Sequence, residues 1–228
     1  MSAATPTVAA LIVAAGRGRR MGGTVPKQYL PLSGACALRR SCEVFLTQPG
    51  VTALRVVIHP DDGDLYAGAM DGLRDPRVGP PVAGGDTRAA SVAAGLDALA
   101  AQAPDRVLIH DAARPFVPLS VIAGVIAMLD RVPGACAALP VIDALWSSNG
   151  DIARDSVPRD GLWRAQTPQG FRFDAIRAAH ATHDGSGADD VAVAREAGLE
   201  VRFVQGSEEN YKITTQADMI RARATLAR

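Results

Sequence analysis

A chain of 228 residues, 48% of them hydrophobic, has the size and composition of one globular domain. Lys plus Arg number 24 and Asp plus Glu 24, so the formal net charge is zero and nothing supports a chain-wide nucleic-acid or membrane-surface role. No apolar run reaches membrane-spanning length, and three scattered cysteines, Cys36, Cys42 and Cys136, without a CxxC pair, read as reduced, buried thiols of a cytoplasmic protein.

The first apolar run, Val8 to Val13, is long enough for one buried strand. It has no basic leader and continues into a Gly-Arg loop, so a secretory signal is not expected. Leu38 to Leu46 has helical spacing, with Leu38, Cys42, Phe45 and Leu46 on one face. Leu54 to Ile58 is a second strand, broken by His59-Pro60 and followed by a helix through Leu73. Arg77 to Val82 is a weak strand. The turn Gly84-Gly85-Asp86-Thr87 feeds a helix to about Ala101. Val107 to Ile109 is a strand, Val121 to Leu129 a helix and Ala135 to Leu139 a strand. This alternation predicts an α/β fold: a mostly parallel sheet with helices on both faces and ligands beyond the carboxyl ends of its strands.

Residues 141–158 interrupt that rhythm. Two strand-like runs flank Ser148-Asn149-Gly150-Asp151, which is a hairpin-turn sequence. Trp146 on such a hairpin needs a surface to cover, offered either by a second copy of the chain or by its own domain. Gly161 to Phe171 reads as irregular. Helices at 174–181 and 189–197, strands at 200–204 and 211–213, and a final helix from Gln216 to Leu226 capped by Thr215 complete a single domain spanning 1–228.

Chemistry concentrates after the first strand. Ala14, Ala15 and Gly16 let a ligand lie against backbone, and Arg17, Arg19, Arg20 and Lys27 supply cations. A Walker A loop is absent, Met21 stands where a dinucleotide fingerprint needs glycine, and the kinase motifs are missing. What remains is a loop that holds phosphates with side chains as well as amides. Arg20 and Lys27 are its leading cations, placed to offset charge that develops during phosphoryl or nucleotidyl transfer. Asp111, just past a buried strand, suits Mg²⁺ bound with phosphate oxygens and water, or else forms a structural pair with Arg114. Gly85, Asp86 and Ser91 can hold a base or ribose; the plainer meaning of the turn is a helix N-cap. His180, His183 and Asp184 lack a further ligand cluster and read as surface residues. Asp189 and Asp190 open a helix, where carboxylates complement the dipole. Lys212 is either solvated or reaches the site.

Taken in order, these motifs resemble those of the 2-C-methyl-D-erythritol 4-phosphate cytidylyltransferase family. The resemblance rests on Ala14 to Met21, Pro26-Lys27-Gln28-Tyr29, Gly84-Gly85-Asp86 with Arg88 and Ser91, and His110-Asp111-Ala112-Ala113-Arg114-Pro115. It continues through Gly161-Leu162-Trp163 with Gln166-Thr167-Pro168-Gln169 to Tyr211-Lys212-Ile213-Thr214. Trp163 to Phe173 is similar to the forms fused to a cyclodiphosphate synthase domain. The resemblance implies a Rossmann-like nucleotidyltransferase fold and a reaction joining CTP to methylerythritol phosphate with Mg²⁺ or another divalent cation, releasing pyrophosphate. It implies that Arg20 and Lys27 are catalytic, that Ala14, Ala15, Gly16, Gly85, Asp86, Ser91, Asp111 and Arg114 bind nucleotide, and that Asp111 also holds the metal. Arg159, Thr167, Lys212 and Asp143 would bind the acceptor, Arg159 across a homodimer formed by the hairpin arm. The family usually has threonine where this chain has Ala144 and Ala188. Their missing hydroxyls leave open another polyol phosphate acceptor, such as ribitol phosphate, or a non-catalytic nucleotide-binding subunit.

Overall fold

Val8–Val13 forms β1, the central strand in a computed structural model that describes residues 5–17 and 24–227. The chain continues through the small hairpin β2 (Pro31–Leu32) and β3 (Ala35–Cys36), then α1 (Ala37–Thr47), β4 (Val51–Ile58), α2 (Gly63–Met70), β5 (Val82–Ala83) and α3 (Arg88–Leu99). β6 (Arg106–Asp111), α4 (Leu119–Met128) and β7 (Gly134–Pro140) follow. Then come the hairpin β8 (Leu145–Asn149) and β9 (Ile152–Val157), β10 (Trp163–Arg172), α5 (Phe173–Thr182), α6 (Asp190–Glu196), β11 (Val201–Gln205) and α7 (Gln216–Leu226).

Seven strands form the main sheet in the order β11-β7-β10-β6-β1-β4-β5. β10 pairs antiparallel with both β6 and β7, and the other pairings are parallel. Alternate side chains of β1 face opposite layers. Ala10 and Ile12 pack with Leu38, Phe45 and Ile122 of α1 and α4, while Ala9 and Leu11 pack with Val92, Leu96 and Ile176 of α3 and α5. A strand covered on both sides reads as a continuous apolar run, which is why β1 carries no polar residue. A smaller cluster of Leu32, Ala37, Ile213, Met219 and Ala222 docks α7.

Three expectations are corrected. Gly161 to Phe171, expected to be irregular, is mostly β10, an interior strand. Its polar Gln166, Thr167 and Gln169 are buried but hydrogen-bonded, and Pro168 falls where the register with β7 shifts between Ala165 and Gln169. Arg77 to Val82 is not a strand; pairing there is limited to an isolated bridge between Leu54 and Val78 and to β5. Tyr211 to Ile213 lies outside any strand, and the Ile213 amide donates to the Ala113 carbonyl at 2.8 Å. The hairpin β8–β9 forms its own two-stranded sheet, with Trp146 and Ile152 at 60% and 59% exposure and Ile142, just before β8, at 66%.

Candidate active site

The sheet register sets the site. Val13 at the end of β1 is level with Val57 of β4 on one side and Asp111 of β6 on the other, and Val57 is level with Val82 of β5. The loops that follow these strands therefore begin at one height, the carboxyl edge where α/β sheets bind ligands. Between them lies a cleft of about 620 Å³. Ala14, Ala15, Gly16, Lys27, Gly85, Asp86, Ser91, Asp111 and Lys212 all line it, so nine residues singled out in the sequence converge on one space.

Close approach explains the two glycines of the turn after β5. A Cβ on Gly84 would stand 2.7 Å from both Ala15 Cβ and Ser91 Oγ, and one on Gly85 would stand 2.7 Å from Ala90 Cβ. Ser91 is buried; its hydroxyl accepts from the Gly85 amide at 3.2 Å and lies 2.9 Å from the Thr87 carbonyl, to which it donates. Thr87 is the N-cap of α3, accepting from the Ala90 amide at 3.0 Å, which leaves Asp86 exposed on the cleft wall. Lys27 sits in the short 3-10 turn Lys27–Tyr29, beside the buried Gln28.

Asp111 is the electrostatic centre. Its Oδ2 lies 2.8 Å from Lys212 Nζ and 3.6 Å from Arg114 Nε, and its Oδ1 lies 3.7 Å from Arg88 Nε. Burial alone would raise its pKa, but the charges of Lys212, Arg88 and Arg114 outweigh burial and hold the carboxyl well below the usual range. It is an anion at neutral pH. Arg88 is in turn fixed by Asp190, whose Oδ2 accepts from Nη2 at 2.7 Å. Arg114 does not line the cleft; it donates to the Asn210 carbonyl at 2.7 Å, and burial lowers its pKa.

His110 completes a neutral brace behind this carboxylate. The Arg114 carbonyl, 3.0 Å from Nε2, can only accept, so Nε2 carries the proton and Nδ1 accepts from the Thr167 hydroxyl at 3.0 Å. That hydroxyl also accepts from the Asp111 amide at 3.0 Å. Thr167 is thus buried and engaged on both sides, and it lies behind the cleft wall. Burial, opposed by these hydrogen bonds, lowers the His110 pKa to about 4.

Several residues singled out in the sequence stand elsewhere or read differently. Arg20 lies outside the described residues. Asp143, Ala144 and Arg159 are exposed at the base of the hairpin arm, where the Arg159 guanidinium donates to the Ile142 carbonyl. Ala188 is exposed just before α6. His180 is not a surface residue, because Asp190 draws it inward: their atoms Nε2 and Oδ1 are 3.1 Å apart. The His183 side chain is also covered, with Nε2 3.1 Å from Glu196 Oε2. Asp189 is the N-cap of α6, accepting from the Ala192 amide at 3.0 Å, whereas Asp190 serves Arg88. Gln28, His59 and Thr214 line the cleft without having been assigned a role from sequence. For Gln28 the available signal was its place directly after Lys27.

The site and fold have clear counterparts. The family model described as 2-C-methyl-D-erythritol 4-phosphate cytidylyltransferase matches residues 8–228. A protein of that name from Cereibacter sphaeroides is 50% identical over 221 residues, covering 97% of each chain. A bifunctional enzyme IspD/IspF from Paramagnetospirillum magneticum is 52% identical over 214 residues, 93% of this chain and 55% of the other. The crystal structure of 2-C-methyl-D-erythritol 4-phosphate cytidylyltransferase from Thermus thermophilus is 31% identical, with a TM-score of 0.79, and the match covers 97% of this chain and 100% of that one.

Proposed function

The chain belongs to the 2-C-methyl-D-erythritol 4-phosphate cytidylyltransferase family, and from that premise we propose how its cleft carries out CMP transfer. The substrates are CTP and 2-C-methyl-D-erythritol 4-phosphate. An oxygen of the acceptor phosphate attacks the α-phosphorus of CTP. A new P–O bond forms, the bond to the pyrophosphate oxygen breaks, and the electron pair leaves with pyrophosphate. No proton need move when the attacking phosphate is a dianion. The observation that carries this reading is the meeting of the small-residue loop, the Gly84-Gly85 turn, Lys27 and Asp111 in one cleft.

The close-packed wall of Ala14, Ala15, Gly85 and Ser91 suits the flat cytosine base of CTP, with Asp86 as a polar partner. Lys27 faces the triphosphate and offsets the charge that builds on the oxygens of the attacked phosphorus, with Arg20 as its companion. Fixed cations need no reorganisation during the step, which is the source of their effect. Lys212 takes the acceptor phosphate, exchanging its ion pair with Asp111 for one with substrate. Arg114 and Thr167 support the site from behind.

Asp111 fits Mg²⁺ or another divalent cation as a single ionised carboxylate on the cleft wall; among the described residues no group of three or more His, Cys, Asp or Glu is placed to enclose a metal. One carboxylate completed by phosphate oxygens and water is the usual Mg²⁺ pattern. When bound, the ion neutralises phosphate charge.

Asp143 and Arg159 stand on the arm base, outside the cleft, so they reach an acceptor only across a homodimer. The exposed apolar arm supports that assembly. Three buried, unpaired cysteines support a cytoplasmic setting, and no helix among the described residues is long and apolar enough to cross a membrane.

The test is CTP-dependent pyrophosphate release with a panel of polyol phosphates. Turnover of methylerythritol phosphate is expected, with Lys27→Ala lowering kcat by about 10²–10³-fold. Turnover confined to another polyol phosphate would overturn the acceptor assignment, and undiminished release by Lys27→Ala would overturn the role of Lys27.

A further inference from the structure

Residues 14–17 leave β1 as irregular backbone, so neighbouring side chains must set their shape. On one side the Gln28 amide donates to the Ala14 carbonyl at 2.6 Å and the Gly16 carbonyl at 3.0 Å. On the other side stands Asp62, in the 3-10 turn Pro60–Asp62 that follows β4. Asp62 Oδ1 accepts from Arg17 Nη1 at 2.6 Å. Asp62 is only 2% exposed, and its Oδ2 is buried without a hydrogen-bond partner among the described residues. A carboxylate so deeply buried is costly unless a cation compensates it.

Arg17 supplies that cation from the cleft wall, with its side chain 43% exposed. Two roles follow from opposite physics. A free Arg17 would be a phosphate ligand. A paired Arg17 carries little net charge toward the cleft and instead ties the loop after β1 to the end of β4. The short bond and the burial of Asp62 favour the second role. We propose that Asp62 is a positioning residue for nucleotide binding, acting through Arg17 to hold 14–17 in the shape that receives CTP. Nothing in the sequence motifs singles out Asp62; the sheet order places it beside the loop.

This inference rests on the nucleotide reading of the cleft, so CTP binding by the unmodified protein is measured alongside the variants. Calorimetry and initial rates are compared for Asp62→Asn, Arg17→Met and the double variant. Each single change is expected to raise the CTP Kd and KM by about tenfold, the loss of one charged hydrogen bond. The double variant should match the singles, because both remove the same pair. The acceptor KM should stay near its original value, which a general loss of structure would not allow. Arg17→Met changes a partly exposed side chain, so it reports on the pair even if Asp62→Asn unfolds. Tighter CTP binding by Asp62→Asn together with weaker binding by Arg17→Met would overturn the proposal and make Arg17 a direct ligand. Unchanged CTP affinity in both variants would overturn it as well. Failure of the unmodified protein to bind CTP would overturn the nucleotide reading itself.

Discussion

His110 shows how much of the site depends on one buried ring. It holds the Arg114 carbonyl and the Thr167 hydroxyl together only while Nδ1 is unprotonated. Its pKa falls from the ordinary 6.5 to about 4 in the folded chain, chiefly because burial opposes the charged form. Between these values the unfolded chain binds the proton and the folded chain does not, so this group makes stability rise with pH from about 4 to 6.5 and level off above. The full swing is on the order of 3 kcal/mol. Urea unfolding at pH 7 and pH 5 checks it: the fall in stability should be smaller in His110→Phe, although that variant starts less stable, having lost both hydrogen bonds. An equal fall in both proteins would remove His110 as the cause.

The elements differ in how openly the sequence declares them. α7 carries its own start signal: the Thr215 hydroxyl accepts from the Asp218 amide at 3.2 Å, and Asp218 Oδ2 accepts from the Thr215 amide at 2.8 Å. Thr215→Ala should cost about 1 kcal/mol, read from the urea midpoint. α3 is positioned by an absence. A Cβ on Gly95 would stand 2.5 Å from Leu11 Cδ1 and 2.7 Å from Val57 Cγ2, so Gly95→Ala should destabilise by about 1–3 kcal/mol despite its better helix propensity. β1 was legible because a strand covered on both faces is apolar throughout, and β4 and β6 because each carries an apolar run, Val56-Val57-Ile58 and Val107-Leu108-Ile109. β10 was not, because Gln166, Thr167 and Gln169 are satisfied by partners distant in sequence: Ser207, His110 and Asp189. The same limit applied to the site. Small residues and cations in the first loop pointed to phosphate, but the Asp62–Arg17 pair and the inward turn of His180 depend on neighbours that only the folded sheet supplies.

For the whole molecule, the arm stands apart from the cleft. Among the described residues, those lining the cleft come from 13–113 and from 212 and 214, with none from the arm. The arm instead presents Ile142, Trp146 and Ile152 to solvent. Trp146→Asp should shift a dimer toward monomers in sedimentation equilibrium and raise the acceptor KM, leaving CTP affinity near its original value. Unchanged mass would place the dimer contact elsewhere.

The arm also leaves and rejoins the sheet at one place. Pro140 at the end of β7 is directly paired with Trp163 at the start of β10, and the Val141 amide donates to the Leu162 carbonyl at 3.0 Å. Cross-strand partners in an antiparallel pair lie only about 4.5–5.5 Å apart. The segment between them is therefore a natural graft point: a tight turn, or a longer foreign insert whose own ends meet, can replace it without moving β7 or β10. Exchanging the segment between its two ends becomes a way to alter the arm while the cleft residues keep their places.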